Sequence, residues 1–173
     1  MKKFFVLLAA LTVSALRAAE PAHVTDPGRM LPADMEQAVE VKLADFERET
    51  GIRLLVRLHA KSPTEEEDKV PGAYMQALAD KLSTRERGVL VVYFADDPDW
   101  RVWIGDELTA RFAGQAGTVA ELTANKAIHN AKEAVFATAK AQADAVEKNL
   151  KSQKHLAAEA EALLDGLKQR LAK

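Results

Sequence analysis

The sequence predicts an α/β fold, namely an α/β/α sandwich with a mixed sheet, followed by a long C-terminal α-helical extension. Helical and strand-like segments alternate between residues 32 and 104, which is the order that builds a layered α/β domain. No proline follows Pro98, and the last 55 residues have helical periodicity. The composition, 48% hydrophobic and 29% charged, is that of a folded chain rather than a disordered one.

The first helix is predicted to begin near Pro32, whose fixed φ suits a first helical turn. Gly51 ends this helix as a left-handed cap. The leucine-rich and β-branched segment 52–58 that follows predicts a strand. Within the helix, apolar residues recur every three or four positions and form one stripe, made of Met35, Val39, Leu43 and Phe46.

A second helix and a hairpin complete the predicted domain. After a charged loop over residues 61–72, Tyr74, Leu78 and Leu82 mark an amphipathic helix. The continuous apolar run 88–95 is typical of a central strand covered on both faces. The acidic turn 96–99 then leads into a returning strand over residues 100–104.

The C-terminal region is predicted to be helical from about residue 119 to the end. Between Phe136 and Leu171, eleven positions alternate in steps of three and four, and ten of them are apolar. This period indicates a coiled coil or a helix hairpin. We therefore divide the chain into residues 1–19, an α/β domain over 20–118 and a helical extension over 119–173. Packing of the first part of the extension on the domain is left open, and the remainder is coiled-coil-like.

Residues 1–19 have the pattern of a secretory signal peptide. Lys2 and Lys3 precede the apolar run 4–13, and small residues follow it. No later segment approaches 18 consecutive apolar residues, so we expect no transmembrane segment in the mature protein. The pattern predicts export, and a periplasmic location if the cell is Gram-negative.

Composition excludes several classes of site. The chain has no cysteine, which rules out disulfides, a cysteine zinc site and a thiol nucleophile. Its net charge of −2 argues against nucleic-acid binding, which normally needs a strongly basic face. The charge is uneven: residues 20–118 hold 12 basic and 19 acidic side chains, a net of −7. Any chemistry is therefore expected in this acidic middle region.

Four segments of this region form a recognisable set. They are the lead-in 23–31 with its aspartate, the Thr-Gly entry into a strand within 49–56, the glycine-led strand 87–94 and the returning strand 101–105. In their order and spacing these segments resemble the TPM domain family, over about residues 23–115 and with an extension to 150 left open. The resemblance implies a β-α-β-α sandwich, an acidic site that binds divalent cations in some members, and a phosphatase activity assigned to some. Here Glu107 stands where the family commonly has a second glycine.

Five aspartates are the candidate metal ligands. Three lie in the hairpin turn, beyond the carboxyl end of a strand, where open α/β sheets bind ligands. The resemblance implies that the aspartate of the lead-in reaches the same edge. Several carboxylates with loop carbonyls suit Ca²⁺, and suit Mg²⁺ less well. The simpler interpretation is that Asp and Pro only form a good turn. The five are Asp26, Asp96, Asp97, Asp99 and Asp106.

We expect a protein partner, or self-association, through the C-terminal helix. Its candidate contact residues are Leu164, Leu167 and Leu171, and an exposed Trp103 would add a patch on the domain. The predicted function is an exported, non-catalytic and Ca²⁺-binding module for envelope interaction or assembly. The alternative is a divalent-cation-dependent phosphatase that uses the same acidic edge, for which the sequence identifies no catalytic residue.

Overall fold

Four strands form one mixed sheet in the computed structural model, which describes residues 22–172. The strands are β1 (Val24–Thr25), β2 (Arg53–His59), β3 (Gly88–Phe94) and β4 (Asp99–Ile104). They lie in the order β1-β2-β3-β4, with β1, β2 and β3 parallel and β4 antiparallel to β3. The predicted mixed sheet is confirmed, and the predicted signal peptide lies outside the described residues.

The helices cover both faces of this sheet. Helix α1 (Ala33–Thr50) connects β1 to β2, and α2 (Ala73–Lys81) connects β2 to β3. After β4 a 3₁₀ turn (Asp106–Leu108) leads to α3 (Thr109–Ala113), α4 (Val119–Ala124), α5 (Ala127–Val146) and α6 (Gln153–Leu171). Among residues 22–172, no helix is both long and apolar enough to cross a membrane.

Successive side chains of each strand point to opposite faces of the sheet, so the core has two layers. One face of the sheet buries Leu54, Val56 and Val91 against α1, α5 and α6. The other face buries Leu55 and Val92 against α2. All seven residues of β3 are buried, as expected for a strand covered on both faces. The predicted α/β/α sandwich is therefore confirmed.

Helix α1 follows its sequence signals closely. It begins after Pro32 and ends at Gly51, which has φ +72° and donates its N–H to the Glu47 carbonyl. Three of its four predicted stripe residues, Val39, Leu43 and Phe46, are buried in the larger core layer, and Met35 packs against that layer.

Edge strand β1 is attached to α1 by a histidine and two glutamates. The ring nitrogens of His23 lie 2.9 Å from Glu40 Oε1 and 2.7 Å from Glu47 Oε2. Glu40 also accepts the main-chain N–H groups of His23 and Val24, at 3.0 and 2.8 Å. Burial alone would raise the pKa of Glu40, but these hydrogen bonds outweigh it, and the pKa is lowered.

The C-terminal helices form a hairpin that packs on the sheet. The predicted helical extension is confirmed, but it is not continuous, because residues 125–126 and 147–152 interrupt it. Val146 and Leu150, two positions of the apolar seam, are exposed at the second interruption. Helix α6 contributes Leu164, Leu167 and Leu171 to the same core layer as the strands. Both interpretations of the periodicity were open, and the structure has the hairpin.

Polar contacts also join α6 to the domain. Trp100 Nε1 on β4 donates to Glu159 Oε2 at 3.0 Å, and Lys42 Nζ on α1 lies 2.8 Å from Asp165 Oδ1. At the far end of α6, the guanidinium of Arg170 donates to the Phe112 carbonyl at 3.1 Å. Helix α6 is thus part of the folded unit along its whole length.

Candidate ligand-binding edge of the sheet

The carboxyl ends of the three parallel strands meet at one edge of the sheet. Asp26 follows β1, His59 ends β2, and Asp96 follows β3 within the turn to β4. Open α/β sheets bind ligands beyond these ends, because the loops that follow the strands diverge there. We call this region the carboxyl edge.

Asp26 is buried, with 7% of its surface exposed, and it shapes the loop after β1. Its Oδ2 accepts the main-chain N–H of Leu31 at 2.7 Å. Its Oδ1 is also buried and has no hydrogen-bond partner in the described structure. A buried oxygen of this kind is costly unless a proton, a water molecule or a cation meets it.

Asp96 ties the turn after β3 to the loop after β2. Its Oδ1 accepts the N–H of Ser62 at 2.7 Å, the Ser62 hydroxyl at 2.9 Å and the N–H of Asp97 at 3.0 Å. Desolvation opposes the shift, but the hydrogen bonds from Ser62 prevail and lower the pKa of Asp96. The carboxylate therefore acts as a loop anchor.

Asp99, the last aspartate of the turn, contacts the guanidinium of Arg101. Asp99 Oδ2 lies 3.7 Å from Arg101 Nε, and Arg101 also donates to Asp68 Oδ2 at 2.8 Å. The guanidinium lies 5.1 Å from the centre of the Phe94 ring. Asp97, between these anchored residues, is exposed.

Asp106 lies at the opposite end of the sheet, which corrects the expectation that all five aspartates converge. It follows β4, which is antiparallel to β3, and the adjacent Gly105 donates its N–H to the carbonyl of Gly88 at the start of β3. A strand of seven residues spans roughly 20 Å, so Asp106 cannot reach the turn 96–99.

Among the described carboxylates of this edge, Asp26 has the one buried oxygen without a hydrogen-bond partner. Across residues 22–172, no three His, Asp or Glu side chains are grouped so that they could hold a metal ion. The unpartnered Oδ1 of Asp26 has the chemistry of a cation ligand, whereas Asp96 already accepts three hydrogens. The six to eight oxygens that Ca²⁺ takes are not assembled by these side chains.

A cleft of about 300 Å³ opens at the carboxyl edge. Its apolar wall contains Met30, Tyr93 and Leu156. Its rim includes Lys151, from the connection between α5 and α6, and Gln153, the first residue of α6. Sequence reasoning missed this contribution because it did not locate the break between α5 and α6. The available signal was Ser152, whose hydroxyl accepts the N–H of His155 as an N-cap.

The residues predicted to bind a partner have contacts inside the chain. Leu164, Leu167 and Leu171 are at most 1% exposed in the core layer shared with the sheet. Trp103 is half-buried against the α2 layer, and its Nε1 donates to the Arg85 carbonyl at 3.2 Å. A partner contact through the leucines remains a prediction, and it would require α6 to leave the core.

Comparison with known proteins gives one family match. No curated protein shows a significant match to the chain. The family model of the TPM domain matches residues 24–148, which extend from β1 to the end of α5 and make up more than half of the sequence. The chain therefore belongs to the TPM domain family.

Proposed function

We propose that this TPM-domain chain is an exported binding module of the cell envelope, whose carboxyl edge presents fixed loops to a partner and performs no chemistry. The observation that supports it most is that the edge carboxylates serve as hydrogen-bond acceptors that hold the loops. Asp26 accepts the main-chain N–H of Leu31 within its own loop, and Asp96 accepts that of Ser62 from the loop after β2, both at 2.7 Å. A general acid or base must instead be within reach of a substrate proton.

The cleft beside these loops supports a binding role. Its volume of about 300 Å³ lies at the lower end of the range for ligand sites. The apolar side chains Met30 and Leu156 suit a protruding apolar group of a partner, and Lys151 at the rim suits an acidic neighbour of that group. The loop after β1 and the turn after β3 would hold this surface in shape.

A divalent cation at Asp26 would complete this edge. Ca²⁺ bound there would supply positive charge beside the buried Oδ1, which has no hydrogen-bond partner among the described residues. Asp26 would hold it together with loop carbonyl oxygens, which are ligands that Ca²⁺ accepts. The cation would stiffen the loop between β1 and α1.

Calorimetric titration of the mature protein with CaCl₂ and MgCl₂ tests the cation. We expect Ca²⁺ binding to be lost in Asp26→Asn and kept in Asp106→Asn, a matched change at the opposite end of the sheet. Absence of any heat at millimolar Ca²⁺ would remove the cation from the proposal. Equal loss in both variants would show that the site is not at Asp26.

Turnover of p-nitrophenyl phosphate tests the non-catalytic role. We expect none above the buffer rate, with or without Ca²⁺ or Mg²⁺. Cation-dependent turnover that disappears in both Asp26→Asn and Asp96→Asn would establish the phosphatase alternative instead. Export is tested separately, by fractionating cells that produce the chain with or without residues 1–19.

A further inference from the structure

A second concave surface lies between β4, the last strand of the sheet, and helix α5. Its volume is about 520 Å³. The β4 side is formed by residues 98–100, the α5 side by Glu133, Phe136, Ala137 and Lys140, and Glu159 of α6 also lines it. The four α5 residues are spaced by three, one and three, so they share one face of the helix. We call this surface the β4–α5 groove.

The register of β4 directs some of its main-chain groups away from the sheet. Strand β4 is the last in the sheet, and β3 is its neighbour on one side. Gly105 donates its N–H to the Gly88 carbonyl, so by alternation the main-chain N–H and C=O groups of Trp100 and Val102 point away from β3. The position of Lys132 agrees, since its Nζ donates to the Val102 carbonyl at 2.6 Å.

The groove has an excess of negative charge. Asp99, Glu133 and Glu159 line it, and Lys140 is the basic residue among its lining side chains. The Lys140 ammonium lies 3.2 Å from Asp144, which is outside the groove. Glu133 is exposed and lies near the half-buried Phe136. An occupant should therefore combine basic and apolar side chains.

We propose that the β4–α5 groove binds an extended, basic peptide segment of a partner protein, which adds a short strand to β4. Such strand addition obtains its affinity from main-chain hydrogen bonds and its specificity from alternate side chains. The main-chain N–H and C=O of Trp100 would pair with the segment. Its basic side chains would face Glu133 and Glu159.

Lys132 limits the length of this added strand. Its ammonium occupies the outward carbonyl of Val102, so a segment that pairs with Trp100 meets a blocked acceptor two residues later. A charged side chain at a sheet edge is a common protection against unlimited pairing, and here helix α5 supplies it. The groove therefore accepts a short segment and does not template a continuous sheet.

Fluorescence polarisation with labelled heptapeptides of alternating valine and lysine tests the proposal on the mature protein. We expect binding, and about tenfold weaker binding when glutamate replaces lysine. Methylation of alternate peptide nitrogens should weaken binding by a similar factor, because it removes the donors of the added strand. No binding at millimolar peptide, or equal affinity of the methylated peptide, would overturn the proposal.

Two protein variants locate the site. Glu133→Lys should weaken the lysine peptide about tenfold, whereas Glu49→Lys, the same change at an exposed position of α1, should not. In NMR spectra, the peptide should shift the main-chain and indole N–H signals of Trp100. Equal effects of both variants would overturn the proposal. Self-association that Glu133→Lys abolishes would also do so, because the occupant would then be a second copy.

Discussion

Truncation of Leu164 tests whether helix α6 belongs to the domain core. The side chain is 1% exposed and lies in the core layer that α1, the sheet and the C-terminal hairpin share. Replacing a buried leucine with alanine removes apolar contacts and leaves a cavity, at a cost of about 2–5 kcal/mol. In a chain of this size each kcal/mol lowers the melting temperature by roughly 2–4 °C. We expect Leu164→Ala to lower it by about 6–12 °C, taking a cost of about 3 kcal/mol.

Urea unfolding, followed by circular dichroism and tryptophan fluorescence, measures this cost. The two probes should give one transition, since Trp100 on β4 donates to Glu159 on α6 and so reports on the helix contact. The matched control is Leu150→Ala, which truncates a leucine that is 48% exposed and should change stability by less than about 0.5 kcal/mol. Equal stabilities of the two variants, or separate unfolding of the helical signal, would refute the assignment of α6 to the core.

Three other predictions test particular contacts by urea unfolding. The pKa of Glu40 is lowered in the fold, so its contribution to stability is present above the usual glutamate pKa and lost as the pH falls through the folded value. Glu40→Gln should therefore flatten the loss of stability in acid, and an unchanged pH profile would contradict this. Burial lowers the pKa of Lys132, so the unfolded chain binds more protons and stability should rise in mild alkali. Lys132→Met should abolish that rise, and its persistence would assign the rise to other groups. Gly105→Ala would place a Cβ 2.5 Å from the Glu86 carbonyl oxygen, whereas Gly114→Ala meets open space at φ +69°. Gly114→Ala should lower the free energy of unfolding by roughly 1–2 kcal/mol, and Gly105→Ala should lower it clearly more. The reverse order would contradict the close approach of Gly105 to Glu86.

The domain elements were predictable because their signals are local. Pro32 and Gly51 mark the ends of α1, and the stripe between them requires one buried helix face. The uninterrupted apolar run after Gly88 predicts a strand covered on both sides, and β3 is one. Each of these inferences depends on residues close together in the chain.

The candidate site was predictable only in part. Asp26 and Asp96 do lie at the carboxyl edge, since the ends of parallel strands are brought together by topology. Their individual environments were not predictable, because Asp96 is held by Ser62, 34 residues away along the chain. Asp106 was misplaced because sequence proximity to the turn does not show that β4 runs back across the sheet.

The sequence by itself determined strands β2 to β4, the helix faces and membership of a layered α/β class, because these follow from the spacing of apolar residues and from chain stops. What covers each apolar face was determined by the tertiary structure. The seam that ends in Leu164 and Leu171 has the same period whether it meets another chain or its own sheet. The structure places it on the sheet, where burying those side chains within one chain requires no second molecule.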